Sequence, residues 1–269
     1  MARGPFWLAG AGRHEALPRQ DAILEALQRS DSGELSVDWL AERFALSAQT
    51  IRKDLNELCE LGLARRLHGG IGSPPTTHNA PVDARRMVNA GVKERIARAV
   101  AELIPEGASV ALGIGTTVEL VARHLTARRG LRVMTNNLGV AGVLSRVPQV
   151  EVYLAEGRLR HGDWDVLGES VSAFFAHYFV DVGVVGCGGL DIAHGVLDFE
   201  PEEAAVSGAI LAHSRMRVLA ADASKWGRRA MSRVVPLDGV DVLATDRLPA
   251  GVAPGDSGPR LQLAGKTAA

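Results

Sequence analysis

The sequence predicts an α/β protein in two parts: a small helical unit ending in a basic, glycine-terminated run, then a larger unit built on a mainly parallel sheet. Three observations carry this. Between 46 and 62, Ile51, Leu55, Leu58 and Leu61 recur at helical spacing and form one apolar stripe. From 109 onward, short apolar runs alternate with amphipathic ones, the pattern of parallel strands covered by helices on both faces. Between these regions, the stretch 73–81 contains Pro74, Pro75 and Pro81 and no apolar period, so it reads as a linker. With 269 residues, each part is long enough for a core of its own.

Residues 1–17, with Gly4-Pro5, Gly10 and Gly12, are expected to be an N-terminal extension, and residues 18–72 the first unit. A helix over 19–30 turns Ile23, Leu24 and Leu27 inward and ends at Asp31-Ser32-Gly33. A second helix over 36–44 leads through Ala45-Leu46-Ser47 into the third, which Ser47 caps and Gly62 stops. Opposite the apolar stripe, Gln49, Arg52, Lys53 and Asn56 share roughly 100° of arc. Two helices joined by so short a turn make a helix-turn-helix, whose second helix enters a DNA major groove. An ordinary helical hairpin with a solvated face would show the same two helices. The run 63–70, with Arg65, Arg66, His68 and Gly69-Gly70, is what a wing beside that helix would add. The candidate DNA contacts are therefore Ser47, Gln49, Thr50, Arg52, Lys53, Asn56, Arg65, Arg66 and His68. Arg and Lys suit phosphates and guanine edges, Asn and Gln suit adenine, and the helix N-terminus offers free N–H groups to a phosphate.

Composition narrows the remaining classes. A net charge of −1 means that any charge for nucleic acid must be local. Cys59 and Cys187 are the only cysteines and lack metal-ligand spacing, which argues against a disulfide framework or a zinc site and fits a reducing cytosol. No apolar run reaches the roughly 18 residues of a membrane span, so a cytoplasmic protein is expected.

In the second unit, expected over 82–269, a helix over 93–104 presents Ile96, Val100 and Leu103 on one face. Strands are expected at 109–112, 131–134, 150–154, 180–185, 218–221 and 240–244, with helices at 118–125, 138–144, 170–178 and 202–214. In such sheets ligands bind at the carboxyl ends of the strands. Gly113-Ile114-Gly115-Thr116-Thr117 follows the first strand and opens a helix, a turn that can cradle an anion but is also a common tight turn. Thr135-Asn136-Asn137, Gly186-Cys187-Gly188-Gly189 and Asp222-Ala223-Ser224-Lys225 end three others. Lys225 beside Thr116 and Thr117 would complete a phosphate site; alone it is a surface lysine. Asp198, Glu200, Glu202 and Glu203 could take sugar hydroxyls or simply charge the start of a helix. His161 and His177 show no partners and are read as structural or exposed. No Walker-type lysine and no cofactor motif is visible, and a phosphosugar is the simplest ligand.

These motifs together resemble the DeoR family of bacterial transcription regulators, from about Arg19 to Asp246. The resemblance rests on Ser47-Ala48-Gln49-Thr50-Ile51-Arg52-Lys53-Asp54-Leu55 followed by His68-Gly69-Gly70, and on Gly115-Thr116-Thr117, Thr135-Asn136-Asn137, Gly188-Gly189-Leu190-Asp191 and Asp222-x-Ser224-Lys225-x-Gly227. It implies a winged helix-turn-helix domain, a sensor domain related in fold to ribose-5-phosphate isomerase and coenzyme A transferases, a homodimer or homotetramer, and a phosphorylated sugar or polyol effector. The effector residues it implies are Gly115, Thr116, Thr117, Asn136, Gly157, Gly188, Asp198, Glu200 and Lys225, with no metal and no cofactor. The motifs Leu159-Arg160, Leu167-Gly168-Glu169 and 225–231 are similar to the glycerol 3-phosphate branch of the family, while Gly113, Glu156-Gly157 and Ser207 depart from it. The alternative from another class is a phosphosugar isomerase with a fused helical domain, using Asp198 or Glu200 as base and Lys225 for phosphate.

Overall fold

The computed structural model describes residues 17–30, 32–74, 79–249, 252 and 258–265. The expected extension, apart from Leu17, and residues 75–78 of the expected linker lie outside the described residues. The chain divides into two compact units between Pro74 and Pro75.

The first unit runs α1 (Leu17–Gln28), β1 (Glu34–Ser36), α2 (Val37–Phe44), α3 (Ala48–Glu60), β2 (Arg65–Leu67) and β3 (Gly70–Gly72). Its core is Ile23 and Leu27 from α1, Leu40 from α2, Ile51, Leu55 and Leu58 from α3, and Ile71 from β3. The apolar stripe of α3 is thus buried as its period predicts. α2 ends at Ala45, whose left-handed φ of 52° turns the chain toward α3. The wing is more than the single run that the sequence suggests, because β1, β3 and β2 form an antiparallel sheet in that order. β1 has too few residues to display a period.

The second unit opens with α4 (Val82–Met87) and α5 (Ala90–Glu102). The strands β4 (Ser109–Leu112), β5 (Leu131–Thr135), β6 (Val150–Leu154), β9 (Val180–Val185), β12 (Ser214–Ala220), β14 (Val242–Thr245) and β15 (Arg260–Leu263) form one parallel sheet in the order β15-β14-β12-β9-β4-β5-β6. α5, α6 (Thr116–His124) and α7 (Leu138–Leu144) bury Ile96, Val121 and Val140 on one face with Val110, Leu112 and Val184. α8 (Glu169–Ala176) and α9 (Pro201–Ala212) bury Phe175 and Ile210 on the other with Ala111, Val185 and Leu219. Successive strand residues point to opposite faces, which is why a strand covered on both sides reads as a continuous apolar run. A hairpin of β7 (Arg158–Arg160) with β8 (Asp165–Leu167) and a small antiparallel sheet of β10 (Gly189–Asp191), β11 (Gly195–Asp198) and β13 (Ser232–Val235) complete the unit.

The chain steps from β4 outward through β5 to β6, then returns to the other side of β4 with β9 and steps away through β12. This reversal puts the crevice of an open α/β sheet at the carboxyl ends of β4 and β9. The loops there are 113–117 and 186–188, and a Cβ on Gly186 would lie 3.4 Å from the Ile114 carbonyl.

Candidate functional site

In the first unit, Ser47 caps α3: the Thr50 N–H donates to its Oγ at 3.1 Å, and the two hydroxyls lie 2.9 Å apart. Gln49, Arg52, Lys53 and Asn56 are exposed on the face opposite the buried stripe, and Arg65, Arg66 and His68 are exposed on the wing. The Arg66 guanidinium donates to Asn56 Oδ1, joining wing strand and helix. Arg65 faces Glu34 at 3.6 Å. Under the same helix, Arg19 grips the buried Asp54 with two bonds of 2.6 and 2.8 Å, a pair the sequence reading does not anticipate. The result is a braced polar face, cationic at Arg52 and Lys53.

In the second unit, parallel strands bring the expected loops to one edge of the sheet. Gly115, at φ 114°, precedes α6, whose first turn buries Thr116 and Thr117. Asn136 is fully buried; its Nδ2 donates to the Val166 carbonyl at 2.9 Å, while its Oδ1 has no partner. A Cβ on Gly157 would meet Val166 Cγ1 at 2.9 Å, so this glycine packs against the same stretch. From there Arg160 links Asp165 and Glu203, both buried. Burial disfavours the Arg160 charge, but its carboxylate partners raise its pKa above the usual value. Glu203 lies next to Asp198, and burial first, then Glu203, pushes the Asp198 carboxyl well above the usual range. A Cβ on Gly188 would lie 2.9 Å from Asp198 Oδ1. Glu200 caps α9, its N–H meeting Glu203 Oε2 at 3.4 Å in a reciprocal capping box. The acidic cluster therefore divides: Glu200 starts a helix, while Asp198 and Glu203 are held inside.

Lys225 follows β12 in a short helical turn that Asp222 caps, with Ser224 N–H donating to Asp222 Oδ1 at 3.0 Å. Burial, then Arg228 and Arg85, lowers the Lys225 pKa; burial and Arg85 likewise lower that of Arg228. Lys225 and Arg228 each keep some exposure. Arg228 lies over the Phe199 ring at 4.9 Å. Burial opposes ionisation of Asp222, but Lys225 and Lys93 together with the Ser224 bonds hold it below the usual range. The Cys187 thiol is pushed up to about 12 by burial and stays protonated. Lys225, Arg228 and Arg85 thus lie together, with Lys225 beside Asp222 and Arg85 paired with Asp163. Such a group suits a phosphate dianion, which accepts charge-assisted bonds.

The sequence reading misses Arg85, and it quotes Arg160 and Arg228 only within motifs of the family resemblance, not as residues of the site. Arg228 stands three residues after Lys225 and could have been found on that spacing; Arg85 follows a proline-rich stretch without a period. Gly113, where the family resemblance would place a carboxylate, has Ile210 Cδ1 at 3.2 Å from where its Cβ would be, so α9 packs into that space. Ser207 is buried on α9. His161 and His177 are exposed. Among the described residues no cluster of His, Cys, Asp and Glu could hold a metal ion, and no helix is long and apolar enough to cross a membrane.

Residues 19–77 match the DeoR-like helix-turn-helix domain and residues 88–247 the DeoR C terminal sensor domain. The chain is 39% identical to the glycerol-3-phosphate regulon repressor of Escherichia coli, over 86% of this chain and 91% of that protein. It is 35% identical to the HTH-type transcriptional repressor CsqR of Escherichia coli, over 86% of this chain and 88% of the other. Among solved structures, ribose 5-phosphate isomerase A of Methanocaldococcus jannaschii is similar at 14% identity over 51% of this chain and 55% of that one, with a TM-score of 0.39. Two matched domains in this order, and a repressor 39% identical over most of both chains, establish that the chain belongs to the DeoR family.

Proposed function

We propose that the protein is a DNA-binding transcriptional repressor of sugar- or glycerol-phosphate metabolism, released from its operator when a phosphorylated sugar or polyol binds the second unit. Glycerol 3-phosphate is the leading ligand. The observation that carries this is the group of Arg85, Lys225 and Arg228, with Lys225 and Arg228 in the loop that follows β12 and Arg85 close enough to lower the pKa of both. Phosphate would meet Lys225 with the N–H groups and hydroxyls of Gly115, Thr116 and Thr117. Asn136, Gly157, Gly188, Asp198 and Glu203 would meet the remaining hydroxyls. The names of the relatives agree with this reading. We further expect a cytoplasmic dimer or tetramer on repeated half-sites, because one winged helix reads only a short stretch of groove.

The isomerase alternative needs an ionised base. Asp198 is buried against Glu203 and Glu200 is committed to a helix cap, so neither is placed for that task. Calorimetry with glycerol 3-phosphate and glycerol, paired with anisotropy on DNA upstream of the protein's own gene, tests the proposal. The phosphate should bind, glycerol should not, and operator affinity should fall on binding. Lys225→Ala should abolish the response, whereas Arg52→Ala should weaken DNA binding by about 1–3 kcal/mol and leave ligand binding intact. Equal binding of glycerol and its phosphate, or turnover of ribose 5-phosphate, would overturn it.

A further inference from the structure

Residues 78–87 lie between the two matched family regions, yet the structure ties 79–87 to the cationic cluster at several points. Arg228 Nη2 donates to Asn79 Oδ1 at 3.1 Å. Arg85 donates from Nε to the Ala80 carbonyl at 2.8 Å and pairs through its other arm with Asp163. Lys93 donates to the Arg85 carbonyl, and Asn89 Nδ2 reaches Asp222 Oδ1 at 3.1 Å. Arg86 on the same short helix grips the buried Glu119 of α6 at 3.1 Å. Two cations of the cluster are therefore occupied by contacts that hold the first described residues of the second unit, those nearest the chain leading back to α3 and its wing.

We propose that segment 79–89 is the element through which a bound phosphomonoester reaches the DNA-binding unit: the ligand's oxygens draw Arg85 off Asp163 and Arg228 off Asn79, freeing this stretch. The inference rests on the effector reading given above. A phosphate dianion offers Arg228 a charged partner in place of the Asn79 amide oxygen, and offers Arg85 a doubly charged one in place of the Asp163 carboxylate; only such a difference between states lets a ligand shift them. Asn79 and Asp163 then act as positioning residues that hold the ligand-free arrangement.

The test uses the full chain, glycerol 3-phosphate as probe, and the same upstream DNA. In the parent, the ratio of operator affinities without and with ligand should fall within about 5–150-fold, the usual size of such coupling. Asn79→Ala and Asp163→Asn should each still bind the ligand but show weaker operator affinity without it, and a coupling ratio reduced toward one. If both variants match the parent in operator affinity and coupling, the proposal is wrong while the effector reading stands. If the parent binds no phosphomonoester, both are wrong together.

Discussion

Asp198 gives the second unit a testable pH dependence. Burial and Glu203 raise its folded pKa, whereas the unfolded carboxyl ionises near about 3.9. Its contribution to stability is therefore fully present below that unfolded value and is lost as pH rises toward the folded one. Between the two, the fold holds about one proton more than the unfolded chain, a slope of about 1.4 kcal/mol per pH unit. Asp198→Asn keeps an acceptor for the Phe199 N–H, which lies 3.1 Å from Oδ1, and needs no proton. Denaturant unfolding from pH 4 to pH 8 should show the variant gaining on the parent as pH rises; parallel curves would contradict a protonated Asp198. Asp222 has the opposite sign, its lowered pKa giving stability that is lost only as pH falls through the folded value. Lys225, Gly188 and Asn136 could be proposed from the sequence because they stand in the loops that follow apolar strands. Arg85 could not, since an arginine reads as exposed until a partner distant in sequence is known. The same holds for Asp54, whose partner Arg19 stands 35 positions away.

At the scale of elements, the wing depends on close backbone approach. Gly70 begins β3, and a Cβ there would fall 2.1 Å from the Leu35 carbonyl of β1. Val37 N–H also donates to the Gly69 carbonyl at 2.8 Å, so wing and α2 share this crossing. Gly70→Ala should separate β1 from β3, weaken operator binding at least tenfold, and lower the thermal midpoint of the first unit. Gly69→Ala, with nothing within 4 Å of its Cβ but a φ of 78°, should pay only backbone strain, of order 1–3 kcal/mol. Anisotropy and thermal unfolding of the two variants check this order; the reverse order would place the wing sheet wrongly. Elements with a full period were readable: α3, β4, β6, β9 and α7 match their expected bounds closely. The short strands β1, β7, β8, β10, β11 and β13 were hidden, because each mixes polar, charged or glycine residues into three or four positions and lacks the apolar run that marks β4, and their pairing is decided by partners elsewhere in the chain. α4 begins immediately after Pro81, where the expected linker ends, and the sequence reading places no helix there.

For the whole molecule, two separate cores imply two separable unfolding events. Ile23, Leu40, Ile51 and Ile71 close the first unit, while both faces of the parallel sheet are buried entirely within the second. A ligand stabilises only the unit that binds it, by RT ln(1 + [L]/Kd), or about 2.7 kcal/mol at a hundredfold excess over Kd. For a domain of roughly 150–250 residues each kcal/mol moves the midpoint by about 2–4 °C, so such an excess of glycerol 3-phosphate should raise one transition by about 5–11 °C. The other transition should stay in place, and glycerol should move neither. Operator DNA should do the converse, acting on the transition that Gly70→Ala lowers. Because coupling is reciprocal, ligand and DNA added together should give shifts smaller than either alone produces in its own unit. Differential scanning calorimetry of the full chain with each ligand separately and then with both reads all of these shifts. A single transition moved equally by both ligands would mean that the units unfold as one body, and shifts that simply add would mean that the effector does not oppose DNA binding.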